Sequence, residues 1–384
     1  MPGDGWTIRQ ACPSCGPWRI IANNGRALAR GIREGSCAMK RRTVLASLPA
    51  AMALGGCWTR PVELSGAGAT FPAPLYARWI ALFERAHPEI RVSYRAIGSG
   101  GGIRNITAQD VDFGASDALL NPDEVKALPA PLLTIPTVLG AVVVAYNLPQ
   151  FDGQLVLSGK VLADIYLGRI LRWNEAPIAA LNPQATLPDL PIHVAHRADS
   201  SGTTSIFTDY LCRISPEWQS WIGCGKMVRW PTDADLAGLG SDGIAHQIQL
   251  EPGGIGYLEV KYALNAGLPY ATLVNRAGYP VRATTESVQS AELNTPATDD
   301  SPIKPSVVDA PGEDSYPLAA FSYLLVYRDL GYLPRDKGQA LITFLRWCLT
   351  EGQIQARKLH YVPLPAPLQD HFLGEIEALE RTVA

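Results

Sequence analysis

Several things are scarce in this chain of 384 residues, and each scarcity excludes something. Of its 7 cysteines only Cys212, Cys224 and Cys348 follow Cys57, too few for a disulfide-stapled scaffold. The close pair Cys12 and Cys15 has no second pair to complete a zinc site. The 6 histidines do not help: His193-Val194-Ala195-His196 lacks the helical spacing of a shared metal face and has no acidic partner beside it. No metal or cofactor is expected. Clustered basic residues are missing from the body of the chain. Residues 57–384 carry 25 Lys and Arg against 34 Asp and Glu, a net of −9, which argues against nucleic acid as a partner. No apolar run is long enough to span a bilayer. The glycine clusters have neither the Gly-x-Gly-x-x-Gly spacing nor a Gly-Lys-Ser/Thr ending, so nucleotide loops are absent too.

Glycine (35) and proline (31) are plentiful, and an apolar fraction of 47% supplies cores for two domains. The basic residues concentrate at the start, where residues 1–56 hold eight against Asp4 and Glu34. Lys40-Arg41-Arg42, a short apolar stretch over 43–56, and Leu54-Gly55-Gly56-Cys57 form an export signal. Cysteine directly after small residues is similar to a bacterial lipobox, so Cys57 is the expected point of lipid attachment. One acyl chain binds membranes only marginally; lipoprotein modification supplies several. Met39 sits at the head of this signal, and residues 1–38 read as an upstream extension outside the fold. Sec and twin-arginine export remain open. In an exported protein Cys212 and Cys224 are able to bridge a short loop, a closure that stabilises by about 3 kcal/mol in the chain-entropy picture. Cys348 lies in an apolar helical period and reads as a buried thiol.

From residue 71 onward, helical and strand periodicities alternate. Pro72 and Pro74 open a helical stripe of Leu75, Tyr76, Trp79, Ile80, Leu82 and Phe83. Strands are expected over 91–96, 111–116, 135–146, 191–196, 254–258 and 319–327. Helices are expected from 98 through Ile106 and over 160–167, 201–212, 243–250 and 337–348. Residues 265–315 read as a turn-rich polar stretch. This order implies an α/β fold whose ligands sit at the carboxyl ends of strands, between two lobes.

The chemistry concentrates at three strand-to-helix junctions. Arg197-Ala198-Asp199-Ser200-Ser201-Gly202-Thr203-Thr204 places hydroxyls, a guanidinium and unpaired first-turn amides around one point, a ready anion site. Gly66-Ala67-Gly68-Ala69-Thr70-Phe71 and Ile97-Gly98-Ser99-Gly100-Gly101-Gly102 repeat the pattern. Because the body is acidic, an anion must be held by local dipoles and not by the overall field. Asp117 follows an apolar strand near the site. An ionised carboxylate only accepts hydrogen bonds, so it admits hydrogen phosphate and repels sulfate. Asp199 can brace Arg197 for a bidentate contact. Asp117 can equally be a turn residue before Asn121-Pro122. Ser201 has no Gly-x-Ser-x-Gly elbow and reads poorly as a nucleophile.

These segments resemble the periplasmic phosphate-binding proteins of ABC-type phosphate uptake systems. The likeness runs from about 63 to 365. It is carried by Leu64 through Pro74, Ile97-Gly98-Ser99, Val111 through Asp117, Arg197 through Thr203, Asp164 through Gly168, Gly240 through Ala245, and Gly254-Ile255-Gly256-Tyr257. The resemblance implies a two-lobed class II solute-binding fold, with 57–140 and 317–384 as lobe I and 141–316 as lobe II. It implies a monomeric, exported, lipid-anchored receptor, not an enzyme, that hands phosphate to a permease of two transmembrane subunits and an ATPase. It places phosphate on Thr70, the Phe71 backbone, Ser99, Asp117, Arg197, Ser201, Gly202 and Thr203, with Asp199 in support. Two positions depart from the pattern. The family usually has Gly where Ser200 stands, and many members carry Ser where Gly100 stands. The rival readings are a receptor for sulfate or molybdate, an envelope hydrolase or phosphatase using Ser201, and a surface sensor or adhesion protein that keeps the fold without transport.

Overall fold

The computed structural model describes residues 60–231, 236–296, 303–304 and 306–383. The export signal, Cys57 and the extension at 1–38 lie outside the described residues. The strands are β1 (Val62–Gly68), β2 (Ile90–Ala96), β3 (Phe113–Ser116), β4 (Leu132–Tyr146), β5 (Val156–Ser158), β6 (His193–Arg197), β7 (Leu236–Gly238), β8 (Gly254–Glu259), β9 (Thr272–Val274), β10 (Pro280–Val281) and β11 (Ala319–Tyr327). The helices are α1 (Ala73–Ala86), α2 (Ser99–Thr107), α3 (Pro122–Lys126), α4 (Gly159–Tyr166), α5 (Ala176–Ala179), α6 (Gly202–Ile214), α7 (Pro216–Trp221), α8 (Gly240–Leu250), α9 (Val260–Asn265), α10 (Thr285–Asn294), α11 (Arg335–Leu349) and α12 (Ala366–Glu380).

Eight strands form one mixed sheet in the order β2-β1-β3-β11-β4-β8-β6-β7, and β10-β9-β5 form a small second one. β1 pairs in parallel with β2 and β3, with α1 and α2 as crossovers, and β6 pairs in parallel with β8 and β7. Between these parallel groups run β11 and β4, both antiparallel to their neighbours. β4 changes partner along its length: Leu132–Ala141 pair with β11, and Val142–Tyr146 pair with β8. Nearly every residue of β4 and all of β11 are buried, which is why both read as continuous apolar runs without alternation.

Pro136 interrupts the β4–β11 ladder because it has no N–H to donate. The register slips there, so that Ser322 faces Val138 while Tyr323 faces Pro136. Thr137 is the extra residue; its hydroxyl donates to the Ser322 carbonyl at 3.0 Å and meets the Tyr76 hydroxyl at 2.9 Å. α1 covers this region, burying Leu75, Tyr76, Trp79 and Phe83.

The expected elements from 91 to 348 are present with ends shifted by a few residues, and three differences stand out. β1 lies centrally between β2 and β3, although its Ser-Gly-Ala-Gly composition shows no strand periodicity. The stretch 265–315 contains β9, β10 and α10, and α10 starts from a reciprocal cap between Thr284 and Ser287. The chain ends in α12, beyond the helix expected to be last. Cys212 and Cys224, the pair able to bridge, are free thiols in this structure and adjoin each other. The loop between them is tied to α6 through the Thr208 hydroxyl, which accepts the Gly225 N–H at 3.1 Å while its own hydrogen goes to the Thr204 carbonyl at 2.8 Å. Burial first, and the adjoining Cys224 thiol second, push the Cys212 thiol up to about 12. Cys348 is a buried free thiol. No helix among the described residues is long and apolar enough to cross a membrane.

Candidate functional site

β6 ends at Arg197, and the next turn leads straight into α6. Ser201 caps α6, its Oγ accepting the Thr204 N–H at 3.2 Å, so its own hydrogen remains free to donate. The amides of the first helical turn have no partner within the helix and carry the positive end of its dipole. Thr203 follows, buried, and its Oγ1 finds no hydrogen-bond partner in the protein. A buried hydroxyl without a partner carries a desolvation penalty that a ligand can remove.

Gly202 is the point where this turn touches the far side of the site. A Cβ built there would stand 2.4 Å from Ser99 Oγ and 2.7 Å from Asp117 Cβ. Ser99 opens α2, and its Oγ accepts the Asp117 N–H at 3.1 Å while donating to Asp117 Oδ2 at 3.3 Å. The structure therefore brings Ser99, Asp117 and Gly202 into contact, with Ser201 and Thr203 adjoining.

Asp117 stands just past β3, opposite the slipped register of β11. Ser322 Oγ donates to its Oδ1 at 2.7 Å. Burial pushes the carboxyl up to about 7, against the pull of Ser322, the Arg197 charge and Ser99, all of which favour the ionised form. Arg197, its side chain only 1% exposed, is clamped by Asp199. Its Nε donates to Asp199 Oδ1 at 2.7 Å and its other arm to Oδ2. Burial opposes ionisation of Asp199, but the guanidinium and the Gly240 amide outweigh it, and its pKa lies below the usual carboxylate value. The clamp leaves the rest of the guanidinium fork to face a ligand.

Thr70 joins through α8. Its Oγ1 meets Ser241 Oγ at 3.1 Å, and the neighbouring Gly240 N–H donates to Asp199 Oδ1 at 3.1 Å. The Thr70 carbonyl accepts from the Tyr262 hydroxyl at 2.6 Å. Phe71 is fully buried, its ring edge-on to Tyr361 and its carbonyl taken by the Tyr361 hydroxyl at 2.7 Å, so only its main chain can serve a ligand.

Sequence reasoning missed four contributors. Ser322 is the one serine in the otherwise apolar and aromatic strand β11, a signal the sequence does carry. Ser241 lies in the Gly240–Ala245 motif, which gave it no task of its own. Tyr257, whose hydroxyl accepts the Arg197 main-chain N–H at 3.2 Å and meets Thr204 Oγ1 at 2.7 Å, lies in the Gly254–Tyr257 motif, which gave it no task at the site. Glu259 is fully buried at the end of β8; Oε2 accepts the Lys261 N–H, while Oε1 has no partner. Burial holds this carboxyl well above the ordinary range.

Ser201 and His196 do not pair as nucleophile and base. The Ser201 hydroxyl caps α6, while the His196 ring meets the Arg197 carbonyl through Nδ1 at 3.0 Å and stacks on Trp230. No group of three or more His, Cys, Asp or Glu among the described residues could hold a metal ion. What the arrangement offers is a compact, buried set of hydroxyls, helix amides and one Asp199-clamped guanidinium, faced by the Asp117 carboxyl.

The model of a PBP superfamily domain matches residues 55–351. A phosphate-binding protein PstS of Xylella fastidiosa is 40% identical over 311 residues, which cover 81% of this chain and 84% of that protein. Another, from Pasteurella multocida, is 40% identical over 330 residues, covering 85% of this chain and 92% of its own. Among solved structures, a phosphate-binding protein from Stenotrophomonas maltophilia superposes with a TM-score of 0.61 at 20% identity, covering 82% of this chain and 93% of that one.

Proposed function

Because the chain belongs to the PBP superfamily and, within it, to the PstS phosphate-binding proteins, we propose that it binds inorganic phosphate and serves an ABC-type phosphate transporter as its receptor. It is a binding protein and not an enzyme. The observation that carries the reading is the buried, unpartnered Thr203 hydroxyl at the head of α6, next in the chain to Gly202, which meets Ser99 and Asp117. The ligand is held by Thr70, the Phe71 main chain, Ser99, Arg197, Ser201, Gly202 and Thr203. Asp117 accepts a hydrogen bond from the hydroxyl that hydrogen phosphate carries and sulfate lacks. Asp199 fixes the guanidinium.

Residues 57–140 and 317–384 make lobe I, and 141–316 make lobe II. The change of partner along β4 at Ala141 and Val142 supports that division. Closure of the lobes shields the ion from water, and reopening hands it to a permease of two transmembrane subunits driven by an ATPase. The receptor works outside the cytoplasm as a monomer, tethered by lipid on Cys57.

Thermal unfolding with and without phosphate tests the reading. Phosphate at 100 times its dissociation constant stabilises the folded state by about 2.7 kcal/mol. A melting temperature that rises with phosphate and stays put with sulfate is expected. A rise with sulfate equal to that with phosphate would overturn the assignment.

A further inference from the structure

Where α2 begins, its backbone lies directly against the turn that precedes α6. The Gly100 N–H donates to the Ser200 carbonyl at 3.0 Å. Along this seam stand three glycines, at 98, 100 and 202, and each would collide if it carried a side chain. Gly98 has φ +83°, a conformation that favours glycine by itself. Gly100 differs, because it sits in the regular first turn of α2, where glycine is among the poorest of helix formers. One neighbour excludes a side chain there. A Cβ on Gly100 would stand 2.1 Å from Ser200 Oγ and 2.4 Å from Ser200 Cβ. Turning Ser200 about χ1 moves the hydroxyl but leaves its Cβ in place. These are also the two positions at which the motifs part from their usual pattern, a side chain gained at 200 and one missing at 100.

We propose that Gly100 and Ser200 form a complementary pair that sets how far the two sides of the cleft close on phosphate. The seam has room for one side chain at this crossing, and this chain carries it on the α6 side. The inference rests on the phosphate-receptor reading above. A side chain added at 100 must push the seam apart by about 1 Å to reach ordinary carbon–carbon contact. That displacement falls beside Ser99, Gly202 and Asp117, where hydrogen bonds to an ion weaken steeply with distance and misalignment. Removing the Ser200 side chain makes the room again.

The test compares wild type, Gly100→Ser, Ser200→Gly and the double variant by calorimetric titration with inorganic phosphate. Melting without phosphate and amide exchange at residue 100 are measured on the same proteins. Ser200→Gly is expected to bind within about threefold of wild type. Gly100→Ser binds at least tenfold more weakly, while its phosphate-free melting temperature is unchanged or raised, since a glycine leaves a helix. The double variant returns to within about threefold of Ser200→Gly. Protection of the residue-100 amide, bonded to the Ser200 carbonyl, is lost in Gly100→Ser and regained in the double variant. Tight binding by Gly100→Ser, or a loss that Ser200→Gly fails to restore, would overturn the pairing. If wild type itself takes up no phosphate, the receptor reading falls, and amide exchange alone then decides the pairing.

Discussion

A buried hydroxyl with no partner destabilises a fold, and Thr203 Oγ1 is one. Valine has nearly the same shape and no polar atom to desolvate. Thr203→Val is therefore expected to leave the phosphate-free melting temperature unchanged or higher. On the proposed function the same change removes a hydrogen bond to a charged ligand, worth about 1.5–3 kcal/mol, so phosphate affinity is expected to fall roughly 10- to 100-fold. Melting and titration on one sample check both halves, and a variant that loses stability and keeps affinity would assign Thr203 to packing. Asp117 makes a different prediction, because its carboxyl titrates at about 7. Above that pH it is ionised, accepts only, and repels sulfate; below it the neutral acid can donate to an unprotonated oxygen. The preference for phosphate over sulfate should therefore shrink as pH falls through about 7. Asp117→Asn, which can always donate, should show the reduced preference at every pH. Competition titrations from pH 5.5 to 8.5 measure this, and a ratio that is flat with pH in wild type would refute it.

At the scale of elements, a proline in a central strand turns out to shape the site. Pro136 breaks the β4–β11 ladder, Thr137 becomes the extra residue, and Ser322 comes opposite Asp117. Ser322 donates to the carboxylate and so favours its charged form. Ser322→Ala should raise the Asp117 pKa further and move the pH at which sulfate is admitted upward. The fold should survive, because alanine fits the same apolar strand. An unmoved pH midpoint would show that the serine does not tune the carboxylate. This chain of consequence was not legible beforehand, since a register slip needs both strands in view. The helix-forming stripes and the buried strands were legible, because period and burial coincide in α1, β4 and β11. β1 was hidden by its small residues, which show no strand periodicity. α10 was hidden by a polar composition in which its capping pair, Thr284 and Ser287, merged with the surrounding turns. The site residues named from the motifs lie close together, yet the motifs carried no sign that Ser322, Ser241 or Tyr257 would support them.

Across the whole molecule, two carboxyl groups are buried where a ligand-binding cleft meets the strands that cross it. Asp117 stands past β3, and Glu259 pairs across to Val142, where β4 has just changed partner. Burial raises both pKa values, Asp117 to about 7 and Glu259 well above its ordinary 4.5. A raised folded-state pKa means that the folded protein holds protons the unfolded chain has already released. Each group's contribution is therefore fully present below the unfolded value near 4 and is lost as pH rises through the folded value. The phosphate-free protein should accordingly melt at falling temperatures as pH climbs from 4 past 7. Glu259→Gln replaces a neutral acid by a neutral amide of the same shape, so at pH 7 its phosphate affinity should stay within about threefold of wild type. Its melting temperature should decline less steeply as pH rises above about 4.5, where the unfolded wild-type chain releases a proton that the folded protein still holds on Glu259. Melting curves at half-unit pH steps separate the two proteins. An equal decline in both would mean that Glu259 already carries its charge at neutral pH, with Lys261 and the surrounding dipoles bearing the cost.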